Sequence, residues 1–208
     1  MDINSDSVVV FSKGVMNPDE IDAMRKFNEA LVPLLDAIGA KVIGKFEVET
    51  QFIGNCTAEF INAVQFPNAQ VANDFFDSAE YENLLNYRDK AFSSLNIFLS
   101  KTANAGQIIQ SDKALSVTFA MPNPSETEAL QEYAEKAGKL SHRFSIKPIA
   151  KYVVTGQFFG ECKAGFIAFS EADNSEEMQS FFDSSEYQKL VQLRDLGLKE
   201  ANVYDLNQ

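Results

Sequence analysis

Two arginines, Arg88 and Arg194, are the residues of this sequence most suited to ligand chemistry. Each lies in a predicted helix on the same face as a preceding tyrosine, Tyr81 or Tyr187. A guanidinium group can hold a carboxylate through two parallel hydrogen bonds. The alternative is an arginine whose stem packs on its helix while its head pairs with a nearby acid. The sequence leaves both alternatives open, and these four residues are candidates for ligand binding.

Three other charged side chains are weaker candidates for the same site. Lys45 and Lys151 fall in a predicted strand, where they could point into a barrel or protect an exposed strand edge from aggregation. Glu59 falls in a strand expected to be central. A carboxylate buried there would have a raised pKa, whereas one at the solvent-facing end of the strand would not.

The sequence offers little for metal or cofactor chemistry. His142 is the only histidine, although haem and mononuclear metal sites normally draw on histidine. Cys56 and Cys162 have no histidine nearby in sequence to act as a base, so we expect unbridged, reduced thiols in the role of small buried hydrophobes. Phosphate-cradling glycine loops, dinucleotide fingerprints and Ser/His/Asp arrangements are lacking. We therefore expect neither a metal nor an organic cofactor.

The chain contains an internal repeat. Shifting the sequence against itself by 106 positions (162 − 56) aligns Val8 to Thr102 with the second half without a gap. About 28 of the roughly 95 aligned pairs are identical, which is several times the chance level for one fixed offset. Identical segments include Asn17-Pro18 with Asn123-Pro124, Gln51-Phe52 with Gln157-Phe158, and Phe75–Ser78 with Phe181–Ser184.

Both repeats predict the same order of elements. In the first repeat, hydrophobic spacing and turn residues indicate a strand at Val8–Lys13 and a helix from Asn17 to Gly39. Two strands follow, at Lys41–Glu49 and Ala58–Phe66, with a turn at Gly54 between them. Helical structure from about Asn68 to Ala91 and a strand at Leu95–Leu99 complete the repeat. The predicted helix N-caps are Asn17, Asn123, Asp77 and Asp183.

Side-chain size in the first strand of each repeat suggests which face meets the helices. Val9 and Phe11 alternate with Val10 and Ser12, and we expect the large apolar set to face the helices and the small or polar residues to face a barrel interior. The second repeat repeats this contrast between Leu115, Val117 and Phe119 on one side and Ser116 and Thr118 on the other. A ligand cavity or tight sheet packing would each explain the small residues.

The order β-α-β-β-α-β is that of ferredoxin-like folds, which are α+β. Such a unit leaves one face of its sheet bare, and a domain this small needs a second copy to cover it. We therefore expect two ferredoxin-like repeats, residues 1–100 and 114–208, joined by a linker at 101–113 and packed sheet to sheet as a dimeric α/β barrel within one chain. The alternative is two side-by-side domains, each covered by another molecule.

The second helical region carries a family resemblance. In both repeats two phenylalanines precede Asp-Ser-x-Glu-Tyr, followed by a leucine and then an arginine seven residues after the tyrosine. This pattern resembles the domain of unknown function 1330, of the dimeric α/β-barrel superfamily. The chain departs from it at Ala79 and Ser185, where the family usually has proline, and in fusing two copies. The resemblance implies the fold but no activity, because the superfamily includes cofactor-free monooxygenases, isomerases and haem-dependent enzymes.

Charge and composition limit the partners. The formal net charge is −12, which disfavours nucleic-acid backbones and anionic membranes. The polar, acidic N-terminus resembles no secretory signal, so we expect a cytoplasmic protein.

Two functions remain open. The protein could bind or convert a small organic molecule, such as a carboxylate, in a barrel cavity, or it could be a non-catalytic interaction protein with a filled barrel. The oligomeric state beyond the internal pseudo-dimer does not follow from the sequence.

Overall fold

The computed structural model describes residues 6–102 and 112–207. Most of the predicted linker, 103–111, lies outside the described residues, so the predicted domain boundaries stay a prediction. The first repeat consists of β1 (Val8–Met16), α1 (Ile21–Ala37), β2 (Lys41–Ile53), β3 (Phe60–Phe66), α2 (Ala69–Phe76), α3 (Ala79–Glu82), α4 (Leu85–Ala91) and β4 (Phe92–Thr102).

The second repeat follows the same order. Its elements are β5 (Ala114–Pro122), α5 (Thr127–Ser141), β6 (Lys147–Phe159), β7 (Phe166–Ala172), α6 (Ser175–Asp183), α7 (Ser185–Gln188), α8 (Val191–Gly197) and β8 (Leu198–Asn207). Gly54 and Gly160 occupy equivalent turns after β2 and β6, with φ of 101° and 99°. Only glycine adopts such angles without strain, which explains why both repeats have it there.

Backbone pairing links the strands in the order β1-β3-β2-β8-β5-β7-β6-β4 and closes them into a barrel. The pairs β1–β3, β1–β4, β5–β7 and β5–β8 are antiparallel and keep equivalent registers: Val10 lies opposite Val64 and Ser116 lies opposite Ser170. The predicted fold class, an α+β dimeric α/β barrel within one chain, is confirmed.

The chain divides into two compact units that do not follow the repeats strictly. Among the described residues, the first unit combines 6–46 and 57–101 with Thr155–Glu161, and the second combines 102, 112–154 and 162–207 with Glu47–Cys56. The end of β2 therefore belongs to the second unit, where it pairs with β8 from Glu47↔Asn207 to Ile53↔Val203. The end of β6 belongs to the first unit, where the Thr155 hydroxyl donates to the Leu99 carbonyl, 3.4 Å away.

The core of the first unit lies between one face of its sheet and its helices. Helix α1 buries Ala23, Phe27 and Leu35, whose spacing places them on one helix face. Phe27 and Leu35 pack with Val8 and Val10 of β1. The second unit has an equivalent core around Leu140, Ile146, Met178, Phe181, Tyr187 and Leu190.

The predicted assignment of strand faces was wrong. Val10 belongs to the helix-facing core with Phe27, so Val9 and Phe11 lie on the opposite face. Both faces of β1 are buried, including Phe11 and Lys13 at 0% exposure, so side-chain size carries no information about which face the helices cover. The same error applies to Ser116 and Thr118, which follow the register of Val10 and Ser12.

Two of the predicted helix caps were also wrong. Asn17 accepts from the Asp19 amide as predicted, and Asn123 accepts from the Ser125 amide. The caps of α3 and α7, however, are Ser78 and Ser184 rather than the aspartates that precede them; each serine hydroxyl accepts from the amide three residues later, at 3.1 Å. Asp77 and Asp183 instead lie at the ends of α2 and α6, because the helical region breaks there and restarts one residue later than predicted. Two further caps, Asn68 and Asn174, begin α2 and α6.

The prediction of unbridged cysteines was wrong. Cys56 and Cys162 form a disulfide, with Cα atoms 6.3 Å apart, inside the separation that a disulfide tolerates. The error came from placing the two thiols across a barrel, whereas β2 runs on into the second unit and carries Cys56 beside β8. There the Cys56 amide donates to the Asn202 side chain at 3.0 Å, and the Tyr204 hydroxyl donates to the Cys56 carbonyl. Because the two cysteines are bridged, they give no support to the predicted cytoplasmic location. That location stays a prediction.

None of the helices in the described residues combines the length and the apolar character needed to cross a membrane.

Candidate functional site

A cavity of about 110 Å³ lies inside the first unit, between the sheet and the helices. Strands β1, β3 and β4 form its floor, and helices α1, α2 and α3 form its roof. Its lining residues are Val10, Ser12, Phe27, Asn28, Leu31, Leu35, Phe60, Asn62, Val64, Phe66, Phe75, Phe76, Tyr81, Phe92, Leu95 and Ile97. None of them is charged, so a charged group placed in the cavity would have no counter-charge among the lining residues.

Aromatic rings make up much of the cavity wall. Phe75 and Phe76 are consecutive in α2 and meet edge to face, with ring centres 5.2 Å apart. Phe76 meets Tyr81 in the same geometry at 4.8 Å, and Phe27 meets Phe92 at 5.8 Å. Edge-to-face contacts are favourable and hold each ring by its neighbours. The wall is therefore rigid and presents apolar ring surface to the cavity.

The polar groups of the cavity come chiefly from two adjacent strands. Ser12 of β1 lies directly opposite Asn62 of β3. Opposite residues of an antiparallel pair project from the same sheet face, so the hydroxyl and the amide lie next to each other on the cavity floor. Asn28, exposed on α1, adds an amide at the solvent side. Together these groups can both donate to and accept from one ligand oxygen.

Tyr81 is the one sequence candidate that lines this cavity. Its hydroxyl accepts from Nη1 of Arg88 at 3.5 Å. Burial raises the pKa of Tyr81, and the hydrogen bond from Arg88 opposes that rise. The phenol is therefore protonated at neutral pH and holds a fixed position.

Arg88 itself is held outside the cavity. Its Nε donates to the Asp89 carboxylate at 2.9 Å, and its Nη2 lies 2.7 Å from the same oxygen. The guanidinium carbon lies 4.0 Å from the ring centre of Phe159, from the end of β6. Arg88 therefore has the structural role that was the alternative to ligand binding: its stem is buried, and its charged head pairs with a local acid and stacks on an aromatic ring.

The second unit repeats the arrangement with one addition. Arg194 pairs with Asp195, and its Nη1 donates to the Tyr187 hydroxyl at 3.3 Å. Tyr133, in the position of Phe27, adds a hydroxyl 3.2 Å from that of Tyr187. Burial raises the pKa of Tyr133. Tyr133 is not among the residues predicted from sequence, although the exchange of Phe27 for tyrosine between the repeats distinguishes the two units.

The remaining candidates lie away from the cavity. Glu59 is exposed just before β3, where its carboxylate accepts from the Met16 amide at 3.0 Å. Lys45 and Lys151 are exposed on β2 and β6, and the Lys151 ammonium lies 4.7 Å from the ring centre of Phe166. His142 is exposed in a short 3-10 helix after α5. Among residues 6–102 and 112–207, no three His, Cys, Asp or Glu side chains are grouped in a way that could hold a metal ion.

Solved structures share this fold over nearly the whole chain. An anthrone oxidase-like protein superposes with a TM-score of 0.61 and 14% identity, covering 99% of this chain and 92% of its own. A point mutant of chlorite dismutase from Candidatus Nitrospira defluvii gives 0.53 and 12% over 99% and 93%. A monooxygenase-like protein from Fusobacterium nucleatum subsp. nucleatum gives 0.52 and 10% over 99% and 93%. At these identities the likeness shows the fold alone.

Sequence comparison identifies a family for the first repeat. No curated protein matches the chain. The model of a domain of unknown function (DUF1330) matches residues 14–101, a range that contains the helices, most of the strands and the cavity-lining residues from Phe27 onward. The resemblance predicted from the Asp-Ser-x-Glu-Tyr pattern is thereby confirmed over residues 14–101, so the cavity-bearing repeat of this chain is similar to DUF1330.

Proposed function

We propose that the protein binds a small, neutral, single-ring aromatic molecule in the cavity of the first unit. The observation that carries this proposal is the pairing of an uncharged, phenylalanine-rich wall with the adjacent polar groups of Ser12 and Asn62. A few converging polar groups in an otherwise apolar pocket are the usual form of a small-molecule site.

The size of the cavity sets the size of the ligand. An engineered apolar cavity of about 150 Å³ holds one benzene molecule. The 110 Å³ cavity is smaller than this, so one ring is the largest aromatic group that it can enclose, and a fused ring system is too large. A phenolic hydroxyl or a ring carbonyl would satisfy Asn62 and Ser12 while the ring contacts Phe76.

The charge of the ligand follows from the lining. With Arg88 paired to Asp89, no cationic group is left at the cavity wall to compensate a carboxylate. Burying an uncompensated carboxylate costs several kcal/mol, so a neutral phenol should bind in preference to a benzoate of similar size. Of the seven residues proposed from sequence, Tyr81 is retained as a ligand contact.

Conversion of the ligand, in addition to binding, has one argument in its favour. Two proteins that share the fold bear names of oxidative enzymes, anthrone oxidase-like and monooxygenase-like. We therefore include oxidation of a phenolic ligand by molecular oxygen among the reactions to be tested. A non-catalytic interaction protein is the competing function, and it would show no affinity for the cavity ligands.

Calorimetric titration with phenol, toluene and benzoate tests the proposal. We expect phenol to bind more tightly than toluene, because only phenol can bond to Asn62, and benzoate to bind weakest. The variant Asn62→Leu removes the hydrogen-bonding amide with little change in side-chain size and should weaken phenol binding roughly tenfold or more. The matched control is Ala168→Leu, at the equivalent position of the second repeat, which should leave phenol binding unchanged.

Two results would overturn the proposal. One is saturable phenol binding that Asn62→Leu leaves intact, which would put the ligand elsewhere. The other is failure of all three compounds to bind to the wild-type protein, which would favour the interaction protein. Oxygen uptake with phenol, measured on the wild type and on Asn62→Leu, separates conversion from binding.

A further inference from the structure

One buried polar group lies outside the proposed site. Asp205, on β8 of the second unit, is 3% exposed. Its Oδ1 is the one buried side-chain oxygen or nitrogen, among the described residues, that has no hydrogen-bond partner. A buried acceptor without a donor costs free energy, so its presence points to a donor that binds there.

Hydroxyl groups surround this carboxylate along the sheet. Asp205 lies opposite Ser116 of β5 on one side and Thr50 of β2 on the other, and Ser116 lies opposite Ser170 of β7. Residues directly opposite one another on antiparallel strands project from the same face. The four side chains therefore form a row across four adjacent strands, from the exposed Thr50 to the buried Asp205 and Ser116 and the half-buried Ser170.

Three further groups influence the carboxylate. Ser175, the first residue of α6, and the Leu206 backbone amide hydrogen-bond to it, and Glu49 of β2 adds a second negative charge nearby. Burial raises the pKa of Asp205, the Ser175 hydrogen bond opposes that rise, and the charge of Glu49 adds to it. Two negative charges and several hydroxyl oxygens in one place favour a positively charged donor.

The fold itself does not require these polar residues. Leu99, the equivalent of Asp205 in the first repeat, is a buried member of the helix-facing core. The equivalents of Thr50, Asp205, Ser116, Ser170 and Ser175 are Gly156, Leu99, Val10, Val64 and Ala69, which are apolar residues or glycine, and only Glu49 has a polar equivalent, Thr155. Five coordinated exchanges toward oxygen-bearing side chains at adjacent positions distinguish the second unit from the first.

We propose that the second unit binds the ammonium group of a small primary amine between Asp205, Ser116 and Ser170. An ammonium group has three N–H donors, and the carboxylate Oδ1 with the two serine hydroxyls supplies three acceptors. The described residues group too few acidic side chains to hold a metal ion, which favours an organic cation. This site is separate from the aromatic cavity and takes a ligand of opposite character.

Calorimetric titration of the full chain with n-propylammonium chloride tests the site. We expect saturable binding to the wild type that weakens roughly tenfold or more in Asp205→Asn, which keeps the shape of the side chain but removes its charge. Asp205→Leu restores the residue type of the first repeat and should fold and abolish binding. The control Asp183→Asn removes an exposed carboxylate of the same unit and should bind as the wild type does.

Each other outcome overturns the proposal. Equal binding to the wild type and Asp205→Leu would place the amine elsewhere. A crystal grown with the amine that shows only water at Oδ1 would make ordered water the donor. Potassium chloride binding as tightly as the amine would assign the site to an inorganic cation. Phenol titrations of the same variants should be unchanged, so failure at this site is distinguishable from failure of the aromatic cavity.

Discussion

Phe158, near the end of β6, stacks on Phe76 of α2 with ring centres 4.0 Å apart and planes inclined by 23°. Phe76 lines the aromatic cavity, so a residue from the second repeat of the sequence supports the cavity wall of the first unit. The equivalent pair, Phe52 and Phe182, stacks in the second unit at 4.9 Å. Removing one ring from each pair therefore compares a pair that borders the aromatic cavity with an equivalent pair in the second unit.

Truncating either supporting ring should destabilise the protein, but only one truncation should affect the ligand. We expect Phe158→Ala and Phe52→Ala each to lower the free energy of unfolding by about 2–3 kcal/mol, less than for a fully buried ring, because both are half-buried. Phe158→Ala should also weaken phenol binding, because it releases Phe76. Urea unfolding and calorimetry measure the two effects. Equal loss of phenol affinity in both variants would argue against a local role for Phe158.

The helix caps give a prediction that separates neighbouring residues. Ser78→Ala and Ser184→Ala should each cost about 1 kcal/mol of stability, because each removes the acceptor of a helix N-terminal amide. Asp77→Ala and Asp183→Ala should cost less, since neither aspartate caps the following helix. Urea unfolding of the four variants measures the difference. A larger loss in the aspartate variants would reinstate the caps predicted from sequence.

The disulfide predicts how the protein responds to reduction. Denatured, unreduced protein should show no free thiol, and two should be released after reduction. Because the bridge closes a separation of 106 residues, Cys56→Ser with Cys162→Ser should lower stability by about 2–5 kcal/mol. Thiol titration and urea unfolding test both statements. Two free thiols in unreduced protein would show that the bridge does not form.

Asp205 predicts a pH dependence of stability. Because burial raises its pKa, the folded protein keeps the proton where the unfolded chain has released it, so stability falls as pH rises toward the folded pKa. Asparagine does not titrate, so the variant Asp205→Asn lacks this pH-dependent loss of stability. The free energy of unfolding of Asp205→Asn minus that of the wild type should therefore be more positive at about pH 7 than at about pH 4. Urea unfolding at both pH values, with Asp183→Asn alongside, tests it. A difference independent of pH would show that the Asp205 pKa is not raised.

Local pattern and the repeat were sufficient for the element order and the fold class. The offset that aligns Cys56 with Cys162 also aligns every strand and helix, and Gly54 and Gly160 mark turns that only glycine adopts easily. The helix restart was predicted one residue early, since Asp77 and Ser78 are both good N-caps and only the backbone path decides between them.

The site depended on long-range pairing that no local pattern contains. Strand β2 continues beyond Glu49 to Ile53 and pairs with β8, which brings Cys56 to the disulfide and Thr50 to Asp205. The faces of β1 could not be assigned because both are buried. Arg88 was a reasonable candidate by residue type, but its neighbour Asp89 occupies the guanidinium, and this competition depends on side-chain geometry.

The exchanged strand ends bear on how a duplicated gene can change. Glu47–Cys56 belongs to the second unit and Thr155–Glu161 to the first, so a chain shortened to one repeat would lack part of the unit that it encodes. Such a chain could complete its unit only by exchanging strand ends with a second copy of itself. With both repeats in one chain, each strand end is encoded separately, so the two units can diverge from one another by substitution.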